Sequence, residues 1–264
     1  MQLKIQHTTT FTYDHLISEA YTEMRLKPLD ADGQRCLSFR LTTEPHDTVL
    51  RYADQFGNDV RHFDFIQPHQ KLMVSAMSEV QTPDLYIADS SSLSPLDEFN
   101  YLSPTDYAPH TPDLAAFSAS HKLFGNPTES ALTLMRVIYE TLVYEKGATD
   151  VKTTADQALT LGRGVCQDFS HIMLAACRLQ NIPARYVSGY LYNNGYDTAS
   201  HAWVDVLVPE RGWISLDPTH NTEQTGQYVR VAVGRDYADV PPTRGIFKGN
   251  AKEKMDVEVS VNTS

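Results

Sequence analysis

Cysteine is scarce in this chain. Three residues, Cys36, Cys166 and Cys177, make an odd and sparse set with no CxxC pair, which argues against a disulfide framework and against a structural zinc site. If Cys166 and Cys177 share one straight helix, their eleven-residue separation is a rise of about 16 Å, beyond disulfide reach. Basic residues are also few: 22 Lys and Arg against 33 Asp and Glu leave a net charge of −11. That balance argues against a nucleic-acid partner, which needs clustered cations, and against an anionic membrane surface. The charges are interspersed, as on an ordinary acidic surface. No window approaches eighteen apolar residues and the first residues carry no signal-peptide pattern, so the expected location is cytoplasmic, without a membrane partner.

What is present suffices for a full core. With 264 residues and 41% hydrophobic content, one large domain or two unequal ones fit. Residues 1–82 read as short strands: LKIQHTTTFTY, YTEMRLKPL, CLSFRLTTEP, TVLRYAD, DVRHFDFIQ and KLMVSAMSEVQ, broken by DADGQ, FGND and QPHQ. This spacing predicts a small β-sandwich, with Leu37, Phe39 and Leu41 facing inward. Residues 83–112 are rich in Pro, Ser and Asp and read as a connector. Helical signals then begin. NPTESALTLMRVIYETLVY has Asn126 or Thr128 as cap, TTADQALTLG has Thr153 or Thr154 as cap and Gly162 past its end, and QDFSHIMLAACRLQN stops at Asn181 and Pro183. Strands return as ARYVSGYLYN, SHAWVDVLVP, GWISLDPT, YVRVAVG and KMDVEVSVN. The blocks indicate an α+β fold with helices packed on an antiparallel sheet, and a second domain over residues 113–264.

The chemistry centres on Cys166. It begins a helix, where unpaired backbone N–H groups and the positive end of the helix dipole favour a thiolate and an oxyanion. Gly164 is expected to allow a tight turn and to leave space for a substrate chain. By position alone Cys166 reads either as a small buried hydrophobe or as a nucleophile. A nucleophile needs a base, and His201 opens the strand SHAWVDVLVP. An orienting carboxylate is available in Asp217, at the end of GWISLDPT. If Pro209, Glu210 and Arg211 form a three-residue turn, Val208 pairs with Gly212 and Trp203 with Asp217, leaving His201 diagonal to Asp217 and on its face. Separately, His201 also reads as an ordinary sheet histidine and Asp217 as a turn residue before Pro218.

The runs GRGVCQDFSHIMLAACRLQNIPARYVSGYL and SHAWVDVLVPERGWISLDPTHN resemble the Cys, His and Asp blocks of the transglutaminase-like superfamily. The tail GRDYADVPPTRGIFKG resembles its bacterial branch, and the β-rich start resembles the N-terminal domain those members carry. The resemblance implies a papain-like core and the roles of nucleophile, base and orienter for Cys166, His201 and Asp217. It implies acyl transfer from a peptide or protein amide without metal or other cofactor, with water expected as acceptor. Glutamine transamidation is the alternative acceptor chemistry. A non-catalytic binding or scaffold protein of the same fold is a further alternative, as is a metal site using Cys166, His171 and acidic neighbours. Gln167, Asp168, Tyr190 and Trp203 are candidate cleft residues; Asp168 reads more simply as a first-turn acid favoured by the helix dipole, and Tyr190 and Trp203 either wall the substrate site or pack in the core. His220 is a spare base, and Arg235, Asp236 and Tyr237 are possible lining.

Overall fold

The computed structural model describes residues 1–84, 86, 93–123, 125–193, 200–209 and 211–263. The alternating segments at the start form β1 (Gln2–Ile17), β2 (Glu19–Met24), β3 (Arg35–Glu44), β4 (Leu50–Ala53), β5 (Asp59–Phe65) and β6 (His69–Gln81). Helices α1 (Pro95–Leu102), α2 (Pro112–Ser120) and α3 (Pro127–Thr141) follow. Then come β7 (Val143–Tyr144), α4 (Ala155–Leu161), β8 (Arg163–Gly164) and α5 (Cys166–Leu179). The chain closes with β9 (Ala184–Leu191), β10 (Ser200–Val208), β11 (Gly212–Asp217), β12 (Thr222–Glu223), β13 (Tyr228–Gly234), β14 (Thr243–Lys248) and β15 (Glu253–Thr263). This is a mixed fold in which the three larger sheets are antiparallel. No described helix is long and apolar enough to cross a membrane.

Two four-stranded sheets, ordered β15-β1-β6-β3 and β14-β2-β5-β4, enclose one core that includes Phe11, Met24, Phe63, Leu72 and Val74. The third sheet, β12-β11-β10-β9-β13, packs against the helices around a larger core. Leu3, Ile5, Val80 and Val261 belong to that larger core, so the first sheet also abuts the helical part.

Three expectations change. The last strand was expected in the domain of residues 113–264, but β14 and β15 complete the two sheets of the β-rich start, pairing with β2 and β1. Period-two alternation marks a strand and its inward face but does not name its neighbour. The connector of residues 83–112 carries α1 and reaches the first residue of α2; residues 85 and 87–92 of it lie outside those described. Ser94 before Pro95 and Thr111 before Pro112 supply helix starts, each side chain accepting an N–H of the first turn. Finally, Leu37 is exposed while Phe39 and Leu41 pack on the core. A register shift between Cys36 and Ser38 inserts one residue, which turns Leu37 out.

Candidate active site

Helix α5 is buried along almost its whole length, with Ile172, Met173, Leu174, Ala175 and Ala176 fully enclosed against α2, α3, α4, β9 and β10. Its first turn reaches open space, where Cys166 and Gln167 are half-buried. The start is fixed by Asp168. One oxygen, Oδ2, accepts the Val165 N–H at 2.7 Å and the Thr149 hydroxyl at 2.7 Å. Val165 has no side-chain acceptor to reciprocate, so this is half of a capping box. A Cβ on Gly164 would stand 2.4 Å from that oxygen, which is why glycine precedes the cap. Gly164 therefore makes room for the Asp168 carboxylate rather than for a substrate chain.

The β10–β11 hairpin has the register its length dictates. Val208 pairs with Gly212 and the pairing continues in step to Val204 and Leu216. Glu210 lies outside the described residues. One more step sets Trp203 opposite Asp217 and leaves His201 diagonal to it. The His201 Nε2 and Asp217 Oδ2 atoms are 2.8 Å apart. The other ring nitrogen, Nδ1, is thereby left free of Asp217, and the Cys166 thiol lies near the imidazole, lining the same cavity. The structure thus brings Cys166, His201 and Asp217 into one chain of contacts.

Asp217 is fully buried and its carboxylate is saturated. Oδ2 also takes His220 Nδ1 at 2.7 Å and the Tyr228 hydroxyl at 2.7 Å, while Oδ1 accepts the Thr219 N–H at 2.8 Å. Burial alone would raise this carboxyl, but hydrogen bonds from His201 and His220, and their charge, hold it well below the usual carboxylate range. Burial alone would lower His201. Its hydrogen bond to Asp217, the neighbouring Cys166 thiol and negative charge on those groups override this and hold the imidazole up to about 10. The surroundings therefore favour an imidazolium beside the thiol through neutral pH.

The His201 ring is held from the side by aromatics. Trp203 lies near-parallel at 6.0 Å between centroids, and Tyr228 at 6.0 Å. The Trp203 indole N–H donates to Gln224 at 3.2 Å. Gly189, the partner of His201 on β9, leaves the space that Trp203 occupies; a Cβ there would meet the indole at 2.6 Å.

Two cavities flank His201. The first, of about 340 Å³, is lined by Cys166, Gln167 and His201 together with Tyr186, Met255 and Val257. The second, of about 350 Å³, is lined by His201, Thr219, His220, Leu191 and Asn193. Tyr144, Lys146 and Ser200 border both.

Of the four other candidate cleft residues, Gln167 lines the first cavity, and its side chain also reaches the Val151 carbonyl at 3.2 Å. The other three do not line either cavity. Asp168 is buried beneath the helix start, Trp203 is buried behind His201, and Tyr190 is buried with its hydroxyl 2.9 Å from His7 Nδ1. Strand alternation turns Tyr190, one residue past Gly189, to the face opposite His201. The alternative metal set using Cys166 and His171 does not assemble. His171 is enclosed between Tyr107 and Tyr186, and its Nε2 accepts the Tyr237 N–H at 3.3 Å. Among the described residues, donor atoms of His201, Asp217 and His220 lie within 4.8 Å of one another, close enough for a cation, but here they bond to each other.

Tyr228, His7, Met255 and Val257 were not singled out by the sequence. His7 had a signal: it lies in the inward-facing series Leu3, Ile5, His7, Thr9, where a buried imidazole needs partners. Tyr228 had none, because its partner Asp217 is reached only through the β9–β13 pairing.

A cysteine at the open start of a buried helix, near a histidine and a carboxylate on an antiparallel sheet, defines an α+β protein of the papain-like architectural class. The comparisons are specific. The bacterial transglutaminase-like N-terminal region matches residues 3–81, and the transglutaminase-like superfamily core matches residues 119–218. The chain belongs to the transglutaminase-like superfamily. It is 34% identical to the uncharacterized protein ML0607 of Mycobacterium leprae, over 98% of both chains. A protein-glutamine gamma-glutamyltransferase of Pseudomonas aeruginosa is 31% identical over 45% of this chain and 20% of its own length. The crystal structure of a candidate cysteine protease from Cytophaga hutchinsonii superposes with a TM-score of 0.79 at 24% identity, covering 100% of this chain and 91% of the other; the likeness is one of fold.

Proposed function

We propose that the chain is a cysteine-dependent enzyme that cleaves amide bonds by acyl transfer, with Cys166 as nucleophile, His201 as acid–base and Asp217 as orienter. The observation that supports this reading is the placement of Cys166 and His201 on one cavity, with His201 hydrogen-bonded to Asp217. The thiolate attacks the amide carbonyl and forms a carbon–sulfur bond. The carbonyl oxygen takes the negative charge near the N–H groups of Cys166 and Gln167, the first two residues of α5, where intrahelical acceptors are lacking. As the tetrahedral intermediate collapses, the carbon–nitrogen bond breaks and His201 gives its proton to the leaving amine. Water then attacks the thioester, His201 taking its proton, and the acid leaves as Cys166 is released. Asp217 keeps Nε2 occupied, so Nδ1 serves the thiol.

The second reading is transfer of the acyl group to an amine, as the name of the Pseudomonas aeruginosa relative suggests. The cavity on the His220 side supports it, since it offers an acceptor a place next to His201 and apart from Cys166. The experiment supplies a glutamine peptide with and without a labelled primary amine, to the wild type and Cys166→Ala. Hydrolysis predicts Cys166-dependent ammonia release that the amine leaves unchanged. Label incorporation exceeding hydrolysis would replace the first reading by the second, and turnover retained by Cys166→Ala would contradict both.

A further inference from the structure

The cavity at Cys166 is not built by the helical part alone. In β15, Met255, Val257, Val259 and Val261 stand opposite Phe11, Thr9, His7 and Ile5 of β1. Those β1 residues are inward-facing, so the four share the core side of the sheet. The intervening Lys254, Asp256 and Glu258 are exposed on the other side, where Lys254 and Asp256 pair at 2.9 Å. Cover along the inner side is uneven. Val261 is buried and Val259 packs on the large core, but Val257 and Met255 remain 45% and 51% exposed. Both open onto the cavity that holds Cys166 and His201. Across it lie Val151, Val165 and Tyr186. A strand that sorts its residues by face, and leaves two apolar ones uncovered only where they overlook the thiol, presents a wall to something apolar.

We propose that Met255 and Val257 form the apolar wall of the acyl-donor subsite, so that the favoured substrate carries an apolar group on the carbonyl side of the scissile amide. The inference rests on Cys166 being the nucleophile. It gives the C-terminal strand a part in specificity: β15 is an edge strand of the first sheet, held on one side by β1, and it places that sheet against the catalytic cavity.

The test compares p-nitrophenyl acetate with p-nitrophenyl hexanoate, following nitrophenolate release by wild type, Met255→Ser/Val257→Ser and Cys166→Ala. Because each buried methylene adds several-fold to binding, the wild type is expected to react with hexanoate roughly tenfold faster than with acetate. The double variant is expected to lose at least about fivefold of that ratio, its hexanoate rate falling far more than its acetate rate. No chain-length preference in the wild type would overturn the proposal, as would an unchanged ratio in the variant. A fall of both rates together would also overturn it, since that is the result of a strand that only supports the fold. Full turnover by Cys166→Ala would instead remove the nucleophile on which the proposal depends.

Discussion

His201 and His220 meet on a single oxygen, Oδ2 of Asp217, through Nε2 at 2.8 Å and Nδ1 at 2.7 Å. The carboxylate that orients the proposed base is thus itself oriented by a second imidazole and by Tyr228. His220 is half-exposed in the second cavity, so its removal leaves little void. We expect His220→Ala to lower kcat/KM roughly three- to tenfold, about the worth of one net hydrogen bond. Because His220 helps hold Asp217 low, its loss raises that carboxyl, and the acid limb of the pH–rate profile moves upward. An unchanged profile would mean that the contact is incidental.

Asp217→Asn tests the other side of the same relationship. The Asp217 hydrogen bond is the largest of the influences that raise His201 against burial. Removing the charge lets burial dominate, and the imidazole falls below its present position near 10. Alkylation of Cys166 at pH 7 is expected to slow by roughly ten- to a hundredfold, and to recover toward the wild-type rate as pH rises. Rates that match the wild type at pH 7 would show that the thiol does not depend on the pair.

Gly164→Ala is expected to destabilise the protein by about 2 kcal/mol, since the new Cβ would overlap Asp168 at a position with no slack. Thermal unfolding measures this. Pairing it with Asp168→Ala should recover part of the lost stability without restoring the helix start, so Cys166 should remain poorly labelled.

The buried His7 makes the contact between the two parts of the fold acid-sensitive. Burial holds it down to about 4. The unfolded chain binds a proton near pH 6.5 that the folded protein refuses until about pH 4. The stability from neutral His7 is therefore complete above about 6.5 and is lost as pH falls toward 4, by ~3 kcal/mol at most. Denaturation curves across this window should be less steep in pH for His7→Gln. His171, lowered to about 3 by burial, and His110, also lowered by burial, contribute to the dependence that remains.

Much of this site was legible in the sequence. A cysteine after Gly-Val at a helix start, and a hairpin whose turn length sets His201 diagonal to Asp217, are local facts, and local facts survive folding. The first six strands and α3 to α5 were legible for the same reason: caps such as Asn126 and breaks such as Gly162 act within a few residues. Long-range partners were not. The pairing of β15 with β1 joins residues more than two hundred positions apart, and nothing in KMDVEVSVN names LKIQHTTTF as its neighbour. Asp168 was open to two readings, and the first-turn acid is the one that holds: Thr149 and the Val165 N–H turn it inward, away from the cleft.

The most direct measurement of the central claim is iodoacetamide labelling of the native protein over a pH series, with adducts mapped by mass spectrometry. Cys177 is fully enclosed and burial pushes its thiol up to about 12, while burial also raises Cys36, which is half-buried. Cys166 alone sits beside an imidazole held in its charged form. Selective labelling of Cys166 near neutral pH, weakened by His201→Ala, is the predicted result. Equal labelling of Cys36 and Cys166, or a Cys166 rate indifferent to His201, would contradict it.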